Sequence, residues 1–340
     1  MDLFSTNILN AVVQDLKRAE SWLLDKYAPR VQTEETEEIH FDVDDGKRRI
    51  APFVSPLVAG KVVASKGFTT KTFKPAYIKD KRVFDGNRPL KRWMGEQIGG
   101  TLTPQDRLRA MIAYDLEDQV GMLTRRMEVM FAEALRTGKI TVTGDQYPTT
   151  VVDFLRDAAC TPAALSGTAR WGQSAAVPLD NLQTWALVGL QKVGAQLVDV
   201  IMDVDAWVQF RKDAKVETRL NQWRNANVSL ATDSIKEEGG TYMGTIDAFN
   251  IFVYAGYYVD DVAGTEGPIL PSGTVILTSP AIEGIRAYGA IRDLKSLQAV
   301  PYFVKSWEEE DPSARYLMMQ SAPLPFPHRP NASVSPAGVL

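Results

Sequence analysis

The sequence predicts an α+β protein organised around one very long helix. Three observations carry this. Thr103 to Gly138 reads as a single uninterrupted helix. A lysine-rich tract from Lys61 to Arg92 alternates β-forming residues with cations, between glycines and prolines that exclude a helix. Short β-type runs then recur down the rest of the chain, at 139–157, 197–202, 246–259, 275–278 and 315–322.

The helix has both ends marked. Thr103 is a good N-cap, Pro104 suits the first helical position and Asp106 stands where a capping-box carboxylate belongs. Gly138 supplies the stop, and Gly121 is the one glycine between the ends. Leu108, Met111, Ile112, Leu116, Val120, Leu123, Met127, Met130, Phe131 and Ala134 recur at helical spacing. At about 1.5 Å per residue such a helix runs roughly 50 Å. That is about the diameter of a compact globule of this chain length. The opposite face carries Asp115, Glu117, Asp118, Glu128 and Glu133, read as solvated or as contacts for another molecule's lysines.

A chain of 340 residues is long enough for more than one core, and its composition is that of a folded protein. A net charge of −4 argues against a dedicated nucleic-acid binder. The single cysteine, Cys160, forbids an intrachain disulfide and suits a reducing compartment. No apolar window reaches membrane-spanning length, and no signal-type segment opens the sequence. His40 and His328 are the only histidines, and neither has triad or metal partners at recognisable spacing. No cofactor and no metal are therefore expected.

Residues 7–27 read as an amphipathic helix, stopped at Ala28-Pro29. Thr33–Asp45 follows with seven acids (Glu34, Glu35, Glu37, Glu38, Asp42, Asp44, Asp45) and no Lys or Arg. It reads as a solvated extended arm or as a surface matched to something basic. From Lys61 to Arg92 there are ten Lys or Arg against two Asp, a net of +8. Phe68, Phe73 and Tyr77 are interleaved with Lys66, Lys71, Lys74 and Lys79. A solvated hairpin, a nucleic-acid surface and an arm matched to the acidic surface of another copy all fit that pattern.

Past the long helix, 139–157 reads as β-structure turning at Gly144-Asp145, and Leu182–Val193 as a second helix. Leu197–Met202 reads as a buried strand, with Asp203 or Asp205 capping a helix over Ala206–Lys212. Asn225–Gly240 and the acidic run Glu308–Asp311 read as loops. The tail carries Pro323, Pro325, Pro327, Pro330 and Pro336 and reads as extended, without regular core.

Five stretches, VSPLVAG (54–60), FKPAYIK (73–79), KITVTG (139–144), IRAYGAIRD (285–293) and MMQSAPL (318–324), resemble the major capsid proteins of lambda-type tailed bacteriophages, in the family's order. VIMDVDAWVQFR (200–211) is similar to the family's strand followed by a Trp-bearing helix. The Glu-rich arm and the Pro-rich end depart from the pattern. The resemblance implies the Hong Kong 97-type capsid fold, with an N-terminal arm (1–50) and an extended β-hairpin loop (51–92). A peripheral domain (93–180) would carry the spine helix, an axial domain would span 181–284, and 285–340 would return to the peripheral domain and end in the tail.

The implied function is a major capsid protein assembling into hexamers and pentamers, an icosahedral shell around double-stranded DNA, located in the virion. The implied partners are the chain itself, a portal, a decoration protein and DNA contacted non-specifically, with no membrane. Met1 stands almost directly before the arm helix, so a separate scaffolding protein is expected. Lys66, Phe68, Lys71, Phe73, Lys74, Tyr77 and Lys79 are the expected loop contacts between subunits. Glu34, Glu35, Glu37 and Glu38 of the arm, with Asp115 and Asp118 of the spine, are their expected acidic counterparts. The alternatives are an encapsulin-like nanocompartment shell and, more distantly, a carboxylate- or metal-dependent enzyme. A catalytic role is not expected, because no nucleophile, base or phosphate loop accompanies the acids.

Overall fold

The computed structural model describes residues 5–15, 21–44, 50–57, 59, 62–63, 68–85, 103–144, 147–218, 240–260, 264–293, 296–311 and 314–340. Helices α1 (Thr6–Asp15) and α2 (Trp22–Tyr27) precede α3 (Pro104–Thr137), the long helix, which has 34 residues. The sequence predicts one helix over 7–27. The structure has two, because Ser21 is in extended conformation immediately before α2.

The ends of α3 are built as the sequence indicates. Thr103 Oγ1 accepts the Asp106 N–H at 3.2 Å, and Gly138 sits at φ 73 with its N–H on the Ala134 carbonyl. The last turn has a further device, which the sequence does not announce. Arg156 donates to the Leu135 carbonyl at 2.7 Å and the Arg136 carbonyl at 2.5 Å, placing a cation on orphan C-terminal acceptors. A Cβ on Gly138 would stand 2.6 Å from the Arg156 Cβ. Gly138→Ala therefore combines left-handed strain with a clash, and is expected to cost about 1–3 kcal/mol, read as a lower melting temperature.

The length of α3 follows from what it supports. Its first half packs Met111, Ile112, Leu116 and Val120 on α1 and on a sheet ordered Phe303–Glu309, Ala314–Ser321, Ile78–Asp85. Its middle packs Leu123, Met127 and Phe131 under α2 and a five-stranded sheet. Ala134, near its end, joins Ile39, Phe41, Ile140, Phe154 and Phe326 in a separate cluster. One rod thus serves three apolar clusters.

In the five-stranded sheet, Asp199–Met202 lies between Phe249–Tyr254 (parallel) and Val275–Thr278 (antiparallel). Val200, Met202, Val275 and Leu277 face a core with α4 (Pro178–Lys192) and α5 (Val204–Phe210), while Ile201 and Ile276 face the spine side. Both faces are covered, which is why VIM and VIL are continuously apolar. Asp203 caps α5 through the N–H groups of Asp205 and Ala206, as expected from the sequence.

Two further sequence expectations are corrected. The Pro-rich tail is not outside the core: Pro323–Pro327 is a buried strand paired with Gly284–Tyr288, Leu324 and Phe326 are fully or almost fully buried, and Val334 pairs with Leu277. That strand is at the edge of its sheet, so prolines at every second position leave Leu324 and Phe326 to donate to the neighbour. Glu308 and Glu309 lie at the end of a strand rather than in a loop. The expected loop over Asn225–Gly240 lies outside the described residues, except Gly240, which begins a strand.

Candidate subunit-contact surfaces

The acidic and basic stretches meet within the chain. Ile39–Asp44 pairs antiparallel with Phe68–Phe73, so part of the acidic stretch is one strand of the hairpin to which the lysines belong. Strand alternation sorts the residues. Ile39 and Phe41 are buried beside Phe154 and Phe326, whereas His40 and Asp42 face solvent. The exposed edge is tied by polar pairs, His40 Nδ1 with Thr72 Oγ1 at 2.9 Å and Thr70 Oγ1 donating to Asp42 at 2.5 Å.

Several residues expected at subunit contacts are engaged inside this chain. Lys74 pairs with Glu37 at 2.9 Å, and Glu37 also pairs with Arg292. Lys71 Nζ donates to the Asp153 carbonyl at 3.1 Å. Tyr77 donates to the Ala290 carbonyl at 3.0 Å and accepts the Arg292 N–H at 3.2 Å. Phe73 packs half-buried on the hairpin-side cluster. Lys79 is exposed, with its ammonium 5.4 Å from the Tyr77 ring. Phe68 stands opposite Asp44 in the hairpin register, and Lys66 lies outside the described residues.

On the acidic side, Glu35 and Glu38 are exposed, and Gln32 donates to Glu34. Asp118 pairs with Arg82 at 2.6 Å. Asp115 is 2% exposed and lies inside the subunit. Glu128, read from the sequence as part of the solvated face, is 3% exposed, beneath α2.

Among the described residues, the most exposed apolar side chains lie between the acidic stretch and the start of the lysine-rich tract. Ile50, Phe53, Leu57 and Val62 are 90%, 103%, 95% and 96% exposed, between the two hairpin strands. A second feature runs beside the spine: a groove of about 530 Å³ lined by Phe73, Ile78, Val129, Met130, Val142 and Tyr147. Lys79, Arg126 and Glu133 supply its charges. Among the described residues no group of three His, Cys, Asp or Glu could hold a metal ion, and no helix is long and apolar enough to cross a membrane.

A spine helix under a layered α+β body, with the hairpin Ile39–Asp44/Phe68–Phe73 packed beside its end, has the Hong Kong 97-type capsid fold. A crystal structure of a prophage capsid protein from Escherichia coli CFT073 superposes with TM-score 0.74 at 22% identity, covering 97% of this chain and 98% of the other. The major capsid protein of Escherichia phage lambda is 29% identical over 310 residues, 88% of this chain and 89% of its own. That of Enterobacteria phage P21 is 29% identical over 335 residues, 95% and 96%. The model of the phage major capsid protein E family matches residues 5–336, and the chain belongs to that family. It is thus a structural component of a phage head, in the virion.

Proposed function

We propose that the chain assembles into hexamers and pentamers, and that these close an icosahedral head around double-stranded DNA. The observation that carries this is the apolar segment 50–62, whose largest side chains are almost wholly exposed in the single chain. A soluble monomer rarely presents such side chains without use. Each is worth about 1.5–3 kcal/mol when fully buried. A neighbouring copy supplies the cover, and the groove along the spine is the concave apolar surface suited to receive them. Lys79 at the groove, with Glu34, Glu35, Glu38 and Asp118 elsewhere on the subunit, would add polar contacts, in which exposed pairs contribute about 0–1 kcal/mol each.

Apolar anchoring thus supplies the strength and the polar contacts supply register. Weak polar pairs also let a misplaced subunit leave. A separate scaffolding protein, a portal and a decoration protein complete the proposed partner set, and packaged DNA is contacted without sequence preference. Negative-stain electron microscopy of the recombinant chain tests the reading. Capsomer rings or closed shells are expected, and a monomer at every protein and salt concentration sinks it.

A further inference from the structure

Helix α2 occupies a socket that is polar where a core would ordinarily be apolar. Glu128, from the spine, accepts the Leu23 N–H at 2.7 Å, the Leu24 N–H at 3.1 Å and the Tyr254 hydroxyl at 3.0 Å. Asp199, from the five-stranded sheet and 4% exposed, accepts the Tyr27 hydroxyl at 2.9 Å and an Asn250 N–H at 3.1 Å. It also pairs with Lys26 at 3.1 Å. Arg286, from the strand Gly284–Tyr288, donates to the Ala28 carbonyl at 2.8 Å and to Asp25 at 2.5 Å. One six-residue helix therefore satisfies groups from the spine and from two different sheets.

The aromatic contacts complete the socket. The Trp22 ring lies 5.2 Å from Phe252 and 5.9 Å from Tyr254, and the Lys26 ammonium lies 3.3 Å over Phe252. Gly240 makes room for the indole: a Cβ there would stand 2.2 Å from it.

Two consequences follow. A helix of this length has no stability of its own, so its conformation depends on being seated. The empty socket would leave Glu128 without its two N–H donors and Asp199 without Tyr27 and Lys26, so partial seating is penalised. Buried ionic groups also bind less strongly than a well-packed apolar plug, which favours specificity and reversibility over strength.

We propose that α2 is a removable key, and that residues 21–33 form a strap whose seating fixes the angle between the spine helix and the five-stranded sheet. With the key withdrawn, the two units hinge about their direct contact through Leu123, Met127, Ile201 and Ile276. This does not depend on the shell reading. In a shell it would let one chain meet the different curvatures of hexamers and pentamers.

The test uses the full chain with Gly240→Ala. Amide hydrogen exchange over 21–33 is expected to rise at least tenfold, while 111–135 and 199–202 keep wild-type protection. Adding Trp22→Leu, which removes the indole from the added methyl, should restore protection. Spin labels at Glu117→Cys and Leu187→Cys, both exposed sites, report the angle, and their distance distribution should broaden in Gly240→Ala alone. If Gly240→Ala does not fold, Tyr27→Phe removes one hydroxyl from Asp199 and should raise exchange over 21–33 at least threefold. The proposal is overturned if 21–33 stays protected, if it exchanges together with the spine, or if the label distances are unchanged when it opens.

Discussion

Replacing Ile50, Phe53 and Leu57 together by serine is expected to leave folding intact and to reduce the yield of closed particles by more than tenfold. The two halves of this result have separate causes. The three side chains are 90%, 103% and 95% exposed in the single chain, so little apolar burial is lost from the fold. Exposed substitutions of this kind usually fall within about 0.5 kcal/mol of neutral. Assembly loses the transfer energy of three large side chains at every contact of the type proposed, about 1.5–3 kcal/mol for each. A closed shell multiplies that loss by its number of contacts. Charge reversal is a less clean instrument. Lys74→Glu would also break the pair with Glu37, and Lys71→Glu would lose the bond to the Asp153 carbonyl, so both perturb the hairpin itself. Sedimentation velocity and electron microscopy of the triple variant read the outcome. Particles at wild-type yield would refute the proposed role of the segment.

How legible each part was depends on the distance over which its cause acts. The spine helix was readable to within a residue at each end, because Thr103, Asp106 and Gly138 act within one turn of the termini they set. The pairing of Ile39–Asp44 with Phe68–Phe73 was not, because Asp42 and Thr70 stand opposite each other across 28 residues of sequence. Nothing local in either strand names its partner, and the opposite charges suggested a match without saying that it lies within one chain. Glu128 was misread for a related reason. The apolar stripe shows that one side of a helix is covered, but α2 covers a second side, and a carboxylate serving backbone donors there looks in sequence like a solvated one. The tail was partly legible: Pro323, Pro325 and Pro327 at period two are an edge-strand signal, outweighed by their composition.

Titrating the stability of the chain between pH 4.5 and 7 should expose Glu128. Burial pushes its carboxyl from 4.5 up to about 7, with Asp25 adding a smaller push in the same direction. The Leu23 and Leu24 N–H groups and the Tyr254 hydroxyl pull the other way without cancelling it. Tyr254 is itself raised, first by burial and then by Glu128, so it stays a donor through this window. The folded state then holds the Glu128 proton more tightly than the unfolded chain does. The contribution of this group is complete below the unfolded value near 4.5, declines as pH rises towards 7 and is flat above it. Its size is on the order of 3 kcal/mol, from about 1.36 kcal/mol for each pH unit of separation. Glu128→Gln keeps the volume and removes the titration, so its stability should lack this part of the slope. At pH 8 the substitution gives back the cost of holding a buried charge, but it sets an amide N–H against one of three donors, so the test is the slope and not the offset. Chemical denaturation of both proteins across the window measures it. Parallel stability profiles would show that the carboxylate is ionised throughout, held by its three donors despite its burial.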